Sequence, residues 1–155
     1  MSAPRDPRCW RLRTSEIAFS SPWYTLRRDT VELPDGRIVD DYFVSMRPEV
    51  ALIFAVTPDR KAVLVRQYKH GAAEMTLEFP GGVFEAGQEV PAVAAARELA
   101  EETGYVAEKM EALGAMWDDP TRQNNRIHYF LAHDARPLQS QNLDPLEDIE
   151  VVEVA

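Results

Sequence analysis

Residues 81–105 read GGVFEAGQEVPAVAAARELAEETGY, a glycine turn running into a stretch of helix-forming composition that ends at a further glycine. Pro91 suits the first helical turn, where its missing N–H would be unpaired in any case. Ala92 to Ala96 propagate a helix well. Gly104 stands where a left-handed residue would end one. On a helical wheel Val93, Ala96, Leu99, Ala100 and Thr103 share one side, which predicts that this stripe faces the core. Glu98 and Glu102 are an i,i+4 pair, with Glu101 between them on the same face. Like charges at that spacing repel by a few tenths of a kcal/mol. A cation would turn the repulsion into binding, and hard oxygen ligands select Mg²⁺ or Mn²⁺. The competing reading is an acidic face that is simply solvated.

The chain has 155 residues, enough for one domain with a sizeable core. Hydrophobic residues are 45% and charged residues 28%, the balance of a globular protein. A net charge of −9 argues against broad binding to a nucleic-acid backbone, which calls for a basic footprint. It leaves room for a small phosphorylated substrate, because metal ions can neutralise both site and ligand. The single cysteine, Cys9, forms no intrachain disulfide and fits a reducing compartment. No apolar run approaches the roughly 18 residues that span a membrane. The first twenty residues hold no continuous apolar segment of a signal peptide. The expected location is the cytoplasm, with no membrane and no nucleic-acid partner.

Along the chain, residues 1–9 are rich in Pro and Arg and are expected to be a disordered tail. Strands are expected at 10–14, 24–33 and 38–46, the last two joined by Leu33-Pro34-Asp35-Gly36, a hairpin signal. Such a unit buries little alone, which points to packing on the main domain or on a second subunit. Residues 50–57 and 62–68 read as buried strands around Pro58-Asp59-Arg60-Lys61. Further strands are expected at 76–79, 107–117, 126–132 and 148–154, with Pro80-Gly81-Gly82 as a turn. Strands on both sides of one helix imply a mixed α+β domain. The expected organisation is one domain over 10–155, with N-terminal strands at 10–47 and a catalytic core at 48–155.

The stretch quoted above resembles the Nudix box, the metal-binding signature of the Nudix hydrolases. Its pattern is Gly, five residues, Glu, seven residues, then Arg-Glu-apolar-x-Glu-Glu-x-Gly-apolar. Glu89, Arg97, Glu98, Leu99, Glu101, Glu102, Gly104 and Tyr105 match it. The departure is in the loop, where six residues separate Gly82 from Glu89 and Gln88 reads as the extra one. This fixed spacing weighs against a merely solvated face. VRQYKHG, LEFPGG, DDPTRQNNRIHYFLA and LEDIEVVEV follow the order of the ADP-ribose and nucleoside-diphosphate-sugar pyrophosphatase branch. The resemblance implies a Nudix fold, a mixed α/β/α sandwich with an N-terminal β-strand extension, and a homodimer. Members of the branch usually continue into a C-terminal helix, whereas this chain ends at Ala155.

Carried over residue by residue, the resemblance makes Glu98 and Glu102 metal ligands. Glu101 bridges or tunes a second ion, and the Gly81 carbonyl is a backbone ligand. Arg97 reads as a brace for a box glutamate, since its guanidinium can fork onto a carboxylate, and Glu89 as ordering the loop. Lys69 stands where the branch often has a substrate-reaching Arg; it reads equally as a solvated strand-end lysine. Glu78 could meet a ribose or base. Pro120 reads either as a marker of the ADP-ribose subgroup or as an ordinary turn proline. For the general base Glu147, beside Asp148, fits a loop before the last strand, and Glu101 is the alternative. His70, His128 and His133 show no metal-ligand spacing. The implied reaction is in-line attack of water on a pyrophosphate phosphorus, with Mg²⁺ or Mn²⁺ as cofactor. For ADP-ribose it yields AMP and ribose 5-phosphate. A triphosphate pyrophosphohydrolase and a non-catalytic nucleotide-binding module are the alternatives.

Overall fold

The computed structural model describes residues 6–155; the first five residues of the expected tail lie outside it. The chain divides into two compact units: residues up to 47 with 117–125, and residues 48–116 with 126–155. In the first unit β1 (Arg11–Ser20), β2 (Thr25–Glu32) and β3 (Ile38–Met46) form an antiparallel sheet in that order. The β2–β3 turn closes through Gly36 N to Leu33 O (3.0 Å) and Leu33 N to Arg37 O (2.9 Å), the hairpin that Asp35-Gly36 predicts. Asp29 is buried there, held by Arg27 at 2.8 Å and by the Ser15 hydroxyl at 2.6 Å. Segment 117–125 joins this unit through its backbone, with Ser45 N donating to Arg122 O at 2.7 Å.

The second unit begins with β4 (Glu49–Val56), β5 (Ala62–Lys69), β6 (Glu74–Glu78) and β7 (Gly81–Phe84). Helix α1 (Pro91–Thr103) follows, then β8 (Tyr105–Val106), β9 (Lys109–Trp117), β10 (Arg126–His133), β11 (Arg136–Pro137) and β12 (Glu150–Val154). Seven of these strands make one mixed sheet in the order β12-β5-β4-β10-β9, with β6 on β5 and β7 on β4. The β4–β10 pair is parallel and brings Val50 beside Ile127 and Ala55 beside Ala132. Strand β4 shows the period of two that sheets impose. Ala51, Ile53 and Ala55 are buried, and Leu52, Phe54 and Val56 are half-buried between them. The buried set meets Ala94, Ala95, Leu99, Phe84, Phe130 and Tyr105 in the core. Among the described residues α1 is the one α-helix, so the helical layer of the expected sandwich lies on one face of the sheet. No helix among them is long and apolar enough to cross a membrane.

Two sequence expectations are corrected. Pro80-Gly81-Gly82 was expected to be a turn, yet Gly81–Phe84 is a strand paired with residues 49–52 of β4. Glycines without turn hydrogen bonds can continue a sheet where another backbone approaches closely. The buried face of the helix is also turned from its expected apolar stripe, of which Leu99 and Thr103 are buried and Val93 and Ala96 are exposed. Ala94, Ala95, Leu99, Glu102 and Thr103 are buried, whereas Val93 is 57% exposed. Two alanines let the helix approach the sheet, and the Gly81 N–H gives Glu102 a partner at 2.8 Å. A satisfied carboxylate can then occupy a core-facing position that hydrophobicity alone assigns to Val93.

Helix α1 ends at Gly104, whose φ of 74° is left-handed and whose N–H donates to Ala100 O at 2.9 Å. A Cβ at this position would overlap the Gln139 carbonyl. Gly104→Ala therefore combines a strained backbone with a clash. It is expected to lower unfolding stability by about 2 kcal/mol or more, read as a lower urea midpoint with an unchanged slope.

Candidate active site

Strand β7 and helix α1 face each other, and the site forms where they meet. Gly81 N donates to Glu102 Oε2 at 2.8 Å, fixing the last turn of the helix to the strand. One residue on, Gly82 lies against Glu98; a Cβ there would overlap the Glu98 carboxylate. Gly81 is required by close approach, since a Cβ there would overlap the Ala51 carbonyl of β4, and Gly82 leaves room for the Glu98 carboxylate where it stands. Glu102 is 5% exposed. Its burial pushes its pKa up to about 7, against the pull of the Gly81 N–H, and the charges of Glu98 and Glu147 raise it further. Burial also raises Glu98, with Arg97 opposing and the charges of Glu101 and Glu147 adding to the rise. Three carboxylates from two segments therefore act on one another at this spot.

Arg97 supplies positive charge beside them. Its Nε and Nη2 fork onto the two oxygens of Glu89 at 3.0 and 2.9 Å. Its Nη1 donates to Glu98 at 2.7 Å and to Glu101 at 2.9 Å. The guanidinium holds Glu89 below its ordinary value. Lys69 at the end of β5 pairs with Glu78 at 3.6 Å, and its charge also acts on Glu102. Loop 138–149 is laid against the helix end, with Asn142 N donating to Glu101 O at 2.9 Å.

These residues suit a hard divalent ion. The donors are carboxylate oxygens, two of them desolvated and disfavoured as anions, and a cation relieves that cost. Among the described residues no three carboxylate, imidazole or thiol groups stand together as a ready cage. A bound ion would take its remaining ligands from water and substrate oxygens, as Mg²⁺ typically does.

Residues 46–155 match the NUDIX domain, and residues 10–45 match the nucleoside diphosphate sugar hydrolase N-terminal domain. The chain belongs to the Nudix family. It is 35% identical over 140 residues to the ADP-ribose pyrophosphatase of Bacillus subtilis, covering 90% of this chain and 75% of that protein. It is 33% identical to the methanol dehydrogenase activator of Bacillus methanolicus, covering 92% of this chain and 76% of that one. A crystal structure of an ADP compounds hydrolase superposes with a TM-score of 0.82 at 24% identity, covering 97% of this chain and 80% of that chain. That likeness is one of fold.

Within the Nudix box, Arg97 thus bonds Glu89, Glu98 and Glu101, and Gly81 separately bonds Glu102, whose charge interacts with that of Glu98. Lys69, Glu78 and Glu147, distant in sequence, lie in the same unit, and the charges of Lys69 and Glu147 reach Glu102. Pro120 opens a turn in the unit of the N-terminal strands. The histidines have separate partners: His70 with Tyr68, His128 with Glu49, and His133 with Glu111. Sequence reasoning passed over Gly82 as a seat for Glu98 and Gln141 as a link in the 138–149 loop. The Gly-Gly pair was a signal for the first, and nothing periodic marks the second.

The raised Glu102 pKa has a consequence for stability. An unfolded glutamate releases its proton near 4.5, whereas folded Glu102 keeps it to about 7. The folded state binds the extra proton across that window, so this contribution is present below it and lost as pH rises through it. In EDTA, the protein is expected to lose on the order of 3 kcal/mol from this group between about pH 5 and about pH 8. Glu102→Gln should flatten that slope, and adding Mg²⁺ at the higher pH should restore stability to the parent protein. Urea midpoints at both pH values check this.

Proposed function

We propose that this protein hydrolyses the pyrophosphate bond of ADP-ribose or a related nucleoside-diphosphate sugar, releasing a nucleoside monophosphate and a sugar phosphate. The observation that carries the reading is the meeting of Glu98, Glu102 and Glu147, with burial raising both helix carboxylates. Membership in the Nudix family and the ADP-ribose pyrophosphatase name of its relatives support the substrate class. Glu98 and Glu102, with Glu101 and the Gly81 carbonyl, would hold Mg²⁺ (or Mn²⁺). When bound, the ion stabilises charge on phosphoryl oxygens and makes water a stronger nucleophile.

The remaining roles belong to side chains. Arg97 braces Glu89, Glu98 and Glu101, so that the acidic face keeps its geometry. Glu147 receives the proton of the attacking water. It is exposed on a loop and outside the Arg97 cluster, whereas the Glu101 carboxylate is occupied by that guanidinium at 2.9 Å. Lys69 offers charge to a phosphate, and Glu78 meets a ribose or base hydroxyl. Pro120 marks the ADP-ribose subgroup. We further propose a cytoplasmic homodimer. Trp10, Leu12, Ile17, Phe19 and Trp23 are exposed in the N-terminal unit, Trp23 by 82%, and aromatic residues favour interfaces.

Product analysis with Mg²⁺ tests the reaction. ADP-ribose and other sugar nucleotides should yield two monophosphates, EDTA should abolish turnover, and Glu102→Gln should lower it by orders of magnitude without unfolding the protein. Pyrophosphate released from triphosphates, with sugar nucleotides inert, would overturn the substrate assignment. Light scattering at tens of micromolar is expected to give the dimer mass, and a monomer mass would refute the assembly.

A further inference from the structure

The last turn of α1 leaves carbonyls without helical partners, as every helix end does. Ala100 O receives Gly104 N, and Glu101 O receives Asn142 N. Glu102 O receives a side chain from far along the chain: Gln141 Nε2, at 2.6 Å. The same nitrogen donates to Ile149 O at 3.1 Å. An amide nitrogen carries two hydrogens, so both are used. Ile149 is buried and immediately precedes β12, whose first residue, Glu150, pairs with Arg66 of β5. Gln141 therefore ties the helix end to the point where the loop re-enters the sheet, and residues 142–148 form an excursion between the two ties.

Glu147 sits on that excursion. Its carboxylate accepts Asp144 N at 2.9 Å, and its own N–H donates to Asp144 O at 2.9 Å, so it rides on a small self-contained turn. That turn orients the side chain relative to the excursion and says nothing of where the excursion lies. The charge of Glu147 opposes those of Glu98 and Glu102. Like charges push the loop outward, and the bonds of Gln141 close its base against that push.

We infer that Gln141 is a positioning residue that holds Glu147 against the helix carboxylates by bonding Glu102 O and Ile149 O with one amide. The inference rests on the reading of Glu147 as the proton acceptor. Gln141→Met keeps the length and volume of the side chain and removes both donors. Gln141→Lys puts donors back.

The test is a double-mutant cycle on the full-length protein with ADP-ribose and Mg²⁺. Glu147→Gln alone should lower kcat by about 100-fold or more. Gln141→Met should lower kcat by about 10-fold or more while KM changes little, and Gln141→Lys should recover most of the loss. In the Glu147→Gln background, Gln141→Met should have no further effect, because a positioning residue acts only through its target. Amide exchange in 142–148 should quicken in Gln141→Met while α1 stays protected. A normal kcat in Gln141→Met, or losses that add in the double variant, overturns the inference and leaves Glu147 in place. Full activity in Glu147→Gln overturns the reading of Glu147 and the role of Gln141 with it.

Discussion

The site depends on one buried hydrogen bond, from the Gly81 N–H to the Glu102 carboxylate. A carboxylate inside a protein is tolerated only when it is bonded, and Glu102 has little else to satisfy it. The bond needs a strand whose backbone N–H reaches the helix, and β7 lies so close to β4 that a Cβ at residue 81 would overlap the Ala51 carbonyl. It needs a helix whose neighbouring positions are small, which Ala94 and Ala95 supply. Once Glu102 is seated, the periodicity of the helix brings Glu98 over Gly82, where a Cβ would block it.

That arrangement concentrates negative charge, and the surrounding residues answer it unevenly. Arg97 satisfies the outer carboxylates, Glu89, Glu98 and Glu101, and leaves Glu102 to the backbone. Burial therefore holds Glu102 near a pKa of about 7, while at Glu98 Arg97 opposes the same effect. An isolated surface triad of glutamates would show no such gradient, because water would screen each charge. The gradient is what separates a place for a cation from a solvated acidic face.

Position in the fold decides which carboxylate is free. Glu101 points along the helix face toward Arg97, whereas Glu147 arrives from a loop with no guanidinium on it. Rigid elements thus carry Glu98, Glu101 and Glu102, and a loop carries Glu147, the group proposed to take the proton from water. Surface pairs away from the site, such as Lys61 with Glu153 and Arg37 with Asp35, add little to stability.

Local chemistry was legible in the residues. The hairpin at Asp35-Gly36, the strands with alternating Ala, Ile and Val, the start at Pro91 and the stop at Gly104 all follow from backbone preference and period. So did the acids of the box, because their spacing is a property of the helix itself. Three matters were decided only in the tertiary structure. Which face of α1 turns inward depends on what the sheet offers, and a free N–H at Gly81 outweighed the apolarity of Val93. Whether Gly81–Phe84 is a turn or a strand depends on β4 lying alongside to receive it. The company of Glu147, Lys69 and Gln141 depends on loop closures across dozens of residues. A sequence by itself determines what each segment prefers within a few turns of chain; burial and charge neighbours arise when distant segments meet, and no local pattern encodes that meeting.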